Sequence, residues 1–141
     1  MSLMERRITI SAVVPEIAIA CDFVDKAARE AGLDEESVYH CHLSVEEICT
    51  NVIEHGYGMN GADKVVDIVC KQFPDRFVIT VIDDAAPFDP LSQPEPEPDV
   101  PLWERVSDGG WGIYFVKRYM DGISYQFVDN RNHLIVEKLL P

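Results

Sequence analysis

Between Pro87 and Asp108 this chain cannot form a regular helix or a central strand. Pro90, Pro94, Pro96, Pro98 and Pro101 are interleaved with Glu95, Glu97 and Asp99, and each proline removes a backbone donor and blocks the preceding helical turn. Regular structure must therefore come from the two flanks, and a core must be made by elements that meet across this gap. An irregular stretch of such length inside a compact chain belongs to a functional cover or to a disordered segment. Residues 88–108 are read here as a Pro-rich lid.

The flanks carry clear periodicities. Arg7-Ile8-Thr9-Ile10-Ser11 alternates and is rich in branched residues, as a first strand does. Pro15 suits the first turn of a helix carrying Ile17, Ala20, Val24 and Ala28, which Gly32 stops. Asp34 is placed to cap a second helix, Glu35 and Glu36 favour its positive end, and Gly56 lies just beyond its expected C-terminus. Val45, Ile48, Cys49 and Val52 form its apolar stripe, with Glu47, Asn51 and Glu54 on a separate polar stripe. Strands near 65–71 and 77–83 make a hairpin through Pro74-Asp75 that ends on Asp83. A third helix runs from Gly112 through Phe115, Val116 and Tyr119. The last two strands, near 123–128 and 134–139, are joined by Asp129-Asn130-Arg131-Asn132.

A length of 141 residues, 47% hydrophobic, is that of one globular domain, taken as 1–141. The formal charge of -13 disfavours nucleic acid and anionic membrane as partners, and a basic protein surface fits better. No run has the length of a membrane span, and the first seven residues do not lead into a signal-peptide core, so a cytoplasmic location is expected. Cys21, Cys41, Cys49 and Cys70 lack C-x-x-C spacing and read as buried free thiols. His40 and His42 flank Cys41 but point in different directions on a helix, which gives no zinc pair there.

Three stretches carry chemistry. Glu47 and Asn51 are four residues apart on one helix face, where Glu47 can accept a proton and Asn51 can give its amide oxygen to magnesium. The same pair also fits a solvated polar stripe. Asp83 ends an apolar strand, where its carboxylate needs a partner; an adenine amino group would serve, and so would the amides of the turn that follows. Gly109, Gly110 and Gly112 either let backbone approach phosphate at a helix start or form a hinge. His55 and Arg105 are secondary candidates for phosphate contact, Arg105 only with the lid closed.

On these residues the chain resembles the GHKL, or Bergerat-fold, ATPases, and in particular the anti-sigma factor serine/threonine kinases of bacterial partner-switching systems. Residues 47–57, Glu47-Ile48-Cys49-Thr50-Asn51-Val52-Ile53-Glu54-His55-Gly56-Tyr57, resemble the family's N-box, 83–90 its D-x-G-x-P-F-D-P segment, and 109–113 its second glycine box. Ala85 stands where the family has glycine after the adenine-binding aspartate. The resemblance implies an α/β (α+β) two-layer sandwich, with a mixed, mostly antiparallel sheet and helices on one face. It also implies ATP and Mg2+ as cofactors, with Glu47 as base, Asn51 on magnesium, and Asp83, Ala85, Gly109, Gly110 and Gly112 around the nucleotide. The implied reaction is phosphoryl transfer to a serine of an anti-anti-sigma factor. The implied partners are that protein, a sigma factor and a second copy in a homodimer. A histidine kinase of the superfamily is disfavoured, because the first strand starts within about ten residues of Met1 and leaves no phosphoacceptor domain. Two other readings remain: a binding module that does not transfer phosphate, supported by Ala85, and a simple ATPase in which Glu47 activates water.

Overall fold

A computed structural model of the chain describes residues 2–93 and 110–141. Its elements in order are β1 (Met4–Ser11), a 3-10 turn (Val14–Glu16), α1 (Ile17–Glu30), α2 (Glu35–Asn51), a π-helical turn (Val52–Gly56), β2 (Val65–Gln72), β3 (Arg76–Asp83), a 3-10 turn (Pro90–Ser92), α3 (Gly110–Tyr119), β4 (Gly122–Val128) and β5 (Arg131–Leu139). The five strands form one sheet in the order β1-β2-β3-β5-β4. The expected mostly antiparallel sheet is antiparallel at all four of these pairings. Most of residues 88–108, with Arg105 and Gly109, lie outside the described residues.

Alternation along the strands decides which face is covered, since side chains two apart share a face. Val66, Ile68 and Cys70 of β2, Phe77, Ile79 and Val81 of β3, and Leu134 and Val136 of β5 belong to one core cluster. From the helices it takes in Ala20, Val24, Val45, Ile48, Ile113 and Val116. Val69 and Ile82, of opposite parity, are buried but stand outside that cluster. The helices thus cover one face of the sheet.

Local chemistry sets the ends. Asp34 Oδ1 accepts from the Ser37 amide at 2.8 Å, the expected cap of α2. Gly32, at φ 95, takes the left-handed conformation that ends α1 without a Cβ penalty. The last hairpin is tighter than the sequence implies. Asp129 and Asn130, at φ 53 and 62, make the whole turn, and Arg131 and Asn132 belong to β5. Cys21, Cys41, Cys49 and Cys70 are free and buried, and burial pushes each thiol up to about 12.

Candidate functional site

The same strand parity places the acidic end of β3. Phe77, Ile79 and Val81 face the helices, so Asp83, two residues on, faces them too, and it is only 6% exposed. Its register partner across β3 and β5 is Asn132, also buried. Asp83 Oδ1 accepts from Asn132 Nδ2 at 2.9 Å and from the Ala85 amide at 2.9 Å. Asn132 Nδ2 also lies 3.0 Å from Ala85 O and 3.2 Å from Ala86 O, and Asn132 Oδ1 accepts from the Phe88 amide at 3.2 Å. Asn132 therefore ties the turn 84–88 to the sheet. Burial pushes the Asp83 carboxyl above its usual range, against the opposing pull of these two donors. Both hydrogen bonds enter through Oδ1, so the turn-capping role is present and Oδ2 takes part in neither.

On the uncovered face, at the same end of the sheet, Arg131 donates to Asp84 Oδ1 at 2.7 Å and pairs with Asp67 Oδ2 at 2.9 Å. Asp67 in turn accepts from Thr9 at 2.5 Å. Residues of β1, β2 and β5 and the turn after β3 are thereby linked beneath Asp83. Neither Asn132 nor Arg131 was expected at the site. Parity along β5 was the available signal, and assigning both residues to a turn hid it.

The helix side is built by α2. Val45, Ile48 and Cys49 face the core as expected, while Glu47 and Asn51 are half-buried rather than turned away from it. Neither their carboxylate nor their amide is hydrogen-bonded among the described residues. Burial, then the charges of Glu46 and Glu54, push the Glu47 carboxyl above its usual range. The reason for its burial is α3: a Cβ added to Gly112 would overlap Glu47 Oε2 and lie 3.3 Å from its carboxyl carbon. Only a glycine lets the first turn of α3, beginning at Gly110, come this close to the Glu47 carboxylate.

After Asn51 the helix widens into the π turn Val52–Gly56, where a uniform α-helix was expected to run on. Such turns recur at functional sites. The wider turn rotates His55 relative to Asn51, and His55 is exposed. Gly56 then meets the β3 end, since a Cβ on it would lie 3.3 Å from the Ala85 methyl. Tyr57 fixes the junction by donating to Val65 O at 3.0 Å and accepting from the Asp84 amide at 2.8 Å. Ala85 has no positive φ, so its turn does not require the glycine of the resembling family.

The three distant stretches therefore converge. The start of α3 abuts α2 through Gly112 and Glu47, and the end of α2 abuts the end of β3 through Gly56, Tyr57, Asp84 and Ala85. The arrangement offers a partly desolvated carboxylate, an amide without a hydrogen bond among the described residues, a buried acid and the amides of a helix start at one end of the central strand β3.

Comparison with known proteins agrees with this architecture. Residues 10–138 match the family described as "Histidine kinase-like ATPase domain". Among curated proteins, the chain is 29% identical over 103 residues to the serine-protein kinase RsbW of Bacillus pumilus (strain SAFR-032), covering 70% of this chain and 64% of that protein. It is 30% identical over 104 residues to RsbW of Bacillus subtilis (strain 168), covering 70% and 63%. The match spans just under two thirds of the length of these relatives. Among solved structures, the RsbU and RsbW domains of Rv1364c from Mycobacterium tuberculosis align with a TM-score of 0.67 at 13% identity, over 96% of this chain and 32% of that one, a likeness of fold. No helix of the described residues is long and apolar enough to cross a membrane. With the match running from residue 10 to residue 138, the chain belongs to the histidine kinase-like ATPase domain family.

Proposed function

We propose that this protein is an ATP-dependent protein-serine kinase that also acts as an anti-sigma regulator, phosphorylating a serine of an anti-anti-sigma factor in a bacterial partner-switching system. The reading rests on one observation above all: the half-buried Glu47 carboxylate, free of hydrogen bonds among the described residues, set against Gly112 at the start of α3. A base needs to stand near the phosphoryl acceptor with its basicity raised, and partial burial does this for Glu47. Asn51, one turn on, offers an amide oxygen free of hydrogen bonds among the described residues, a hard donor suited to magnesium. Magnesium, when bound, neutralises charge on the β- and γ-phosphate oxygens. Asp83 keeps its place through Asn132 and presents Oδ2 to an exocyclic amine, and the amides around Gly110 and Gly112 face phosphate. Gly109, Arg105, His55 and a lid at 88–108 complete the proposed pocket of this single domain. The similarity to the serine-protein kinases RsbW supports the choice of a protein serine as acceptor, and the sigma factor as second partner follows from the resemblance to anti-sigma factor kinases. Action in the cytoplasm, as a homodimer and without nucleic acid, completes the proposal.

The test is incubation of the chain with γ-labelled ATP, magnesium and a candidate serine-bearing partner. Label on the partner's serine is expected. ATP consumed equally without the partner points instead to a simple ATPase, and binding without turnover to a non-catalytic switch. Asn51→Ala is expected to weaken magnesium-dependent ATP binding by at least about tenfold, since loss of mere outer-shell partners already costs that much at metal sites. ATP titrations of this variant with and without magnesium check it, and two curves matching the unmodified chain remove Asn51 from the metal. For Ala85→Gly, affinity for ATP should stay the same or rise, because the Ala85 backbone already has an ordinary conformation and only the methyl is lost. A marked drop in that titration means that the methyl is part of the pocket wall.

A further inference from the structure

A second cluster lies between α1 and α2 and takes no part in the proposed nucleotide site. Cys21 Sγ, a ring nitrogen of His42 and a carboxylate oxygen of Glu46 all lie within 4.8 Å of one another. His42 Nδ1 is 3.0 Å from both oxygens of Asp25, and its Nε2 is 3.7 Å from Glu46 Oε2. We infer that Cys21, His42 and Glu46 form a binding site for a zinc-type divalent cation, with Asp25 orienting the histidine.

Three features of the geometry carry this. A carboxylate on one ring nitrogen fixes the tautomer and turns the other nitrogen outward, as at metal-bound histidines generally. The donor set of thiolate, imidazole and carboxylate suits zinc, which accepts three protein ligands and a water in a tetrahedron. Bond lengths of about 2.0–2.3 Å require donors about 3.5 Å apart, so closure from the present spacing needs only a small movement. Access is open on the Glu46 side, where the side chain is 51% exposed and that of His42 31%, whereas Cys21 forms the closed floor at 2%. The carboxylates of Asp25 beside His42 and of Glu46 across from it favour a cation at this place. On binding, the cation replaces the thiol proton, which passes to solvent, and α1 becomes tied to α2. The sequence concealed the site because its ligands come from two helices, with Cys21 separated from His42 by a complete helix-to-helix connection.

The test uses the full chain, stripped with chelator and free of nucleotide and magnesium, titrated with Co2+. One equivalent should produce the charge-transfer absorption of a thiolate–cobalt bond, Zn2+ should displace it, and Zn2+ should raise the melting temperature. Cys21→Ala should abolish the absorption. Glu46→Gln, at a half-exposed position that leaves folding intact, should weaken Co2+ binding, and Asp25→Asn should weaken it by about 10- to 100-fold. If no thiolate–cobalt band forms at one equivalent, the cluster is only an ion pair joining two helices and the inference fails. It fails equally if the band forms and neither Glu46→Gln nor Asp25→Asn alters the affinity.

Discussion

Glu47→Gln should lower phosphoryl transfer by about 10²- to 10⁴-fold while changing ATP affinity by no more than about twofold. The substitution keeps the shape that fills the space against Gly112 and removes only the capacity to take a proton. A group that acts as base contributes to the transition state far more than to the bound ground state, so its loss appears in turnover and not in binding. Glu47→Ala should show the same split, with the added loss of packing beneath the first turn of α3. The measurements are single-turnover transfer from γ-labelled ATP and an equilibrium ATP titration on the same preparation. Weakened binding with the rate of transfer from bound ATP intact would show Glu47 to be a nucleotide contact and leave the reaction without an identified base. A negative charge repelling the triphosphate is the effect most easily mistaken for a catalytic role. Removing that charge would tighten binding, and this is read directly from the same titration.

How much of this site could be read from the chain depends on the range over which each feature is decided. The cap at Asp34, the stop at Gly32 and the apolar stripe of Val45, Ile48 and Cys49 follow from neighbours within a turn or two, and all stand where the pattern places them. The order of strands and helices was legible for the same reason. What was not legible depends on register between distant strands and on helix packing. Asp83 is held by Asn132, 49 residues away, and the two meet because β3 and β5 pair in one register out of several that hydrophobic alternation alone permits. The π turn after Asn51 leaves no local mark, because the end of α2 reads as an uninterrupted helix. Partial burial of Glu47 depends on α3, which returns to α2 only after the whole 57–109 excursion. Local rules thus singled out the candidate residues and did not reveal which groups constrain them.

That constraint gives the second large expected effect. Gly112→Ala should reduce phosphoryl transfer by about 100-fold without lowering the melting temperature. The added methyl would overlap the tip of the Glu47 side chain rather than any backbone, so the fold accommodates it by swinging the carboxylate aside. Alanine is moreover the better helix former, by about 1 kcal/mol, so unfolding is not an available explanation for lost activity. A displacement of about 1 Å in a positioned catalytic group is enough to cost about 10²-fold. The decisive measurement is a double-mutant cycle. If Gly112 acts by leaving room for the Glu47 carboxylate, then Gly112→Ala in a Glu47→Gln background should cost little further rate, since a misplaced amide is no worse a base than a well-placed one. Losses that instead multiply across the two substitutions would mean that Gly112 serves the phosphates directly through its backbone, and that its closeness to Glu47 is packing alone.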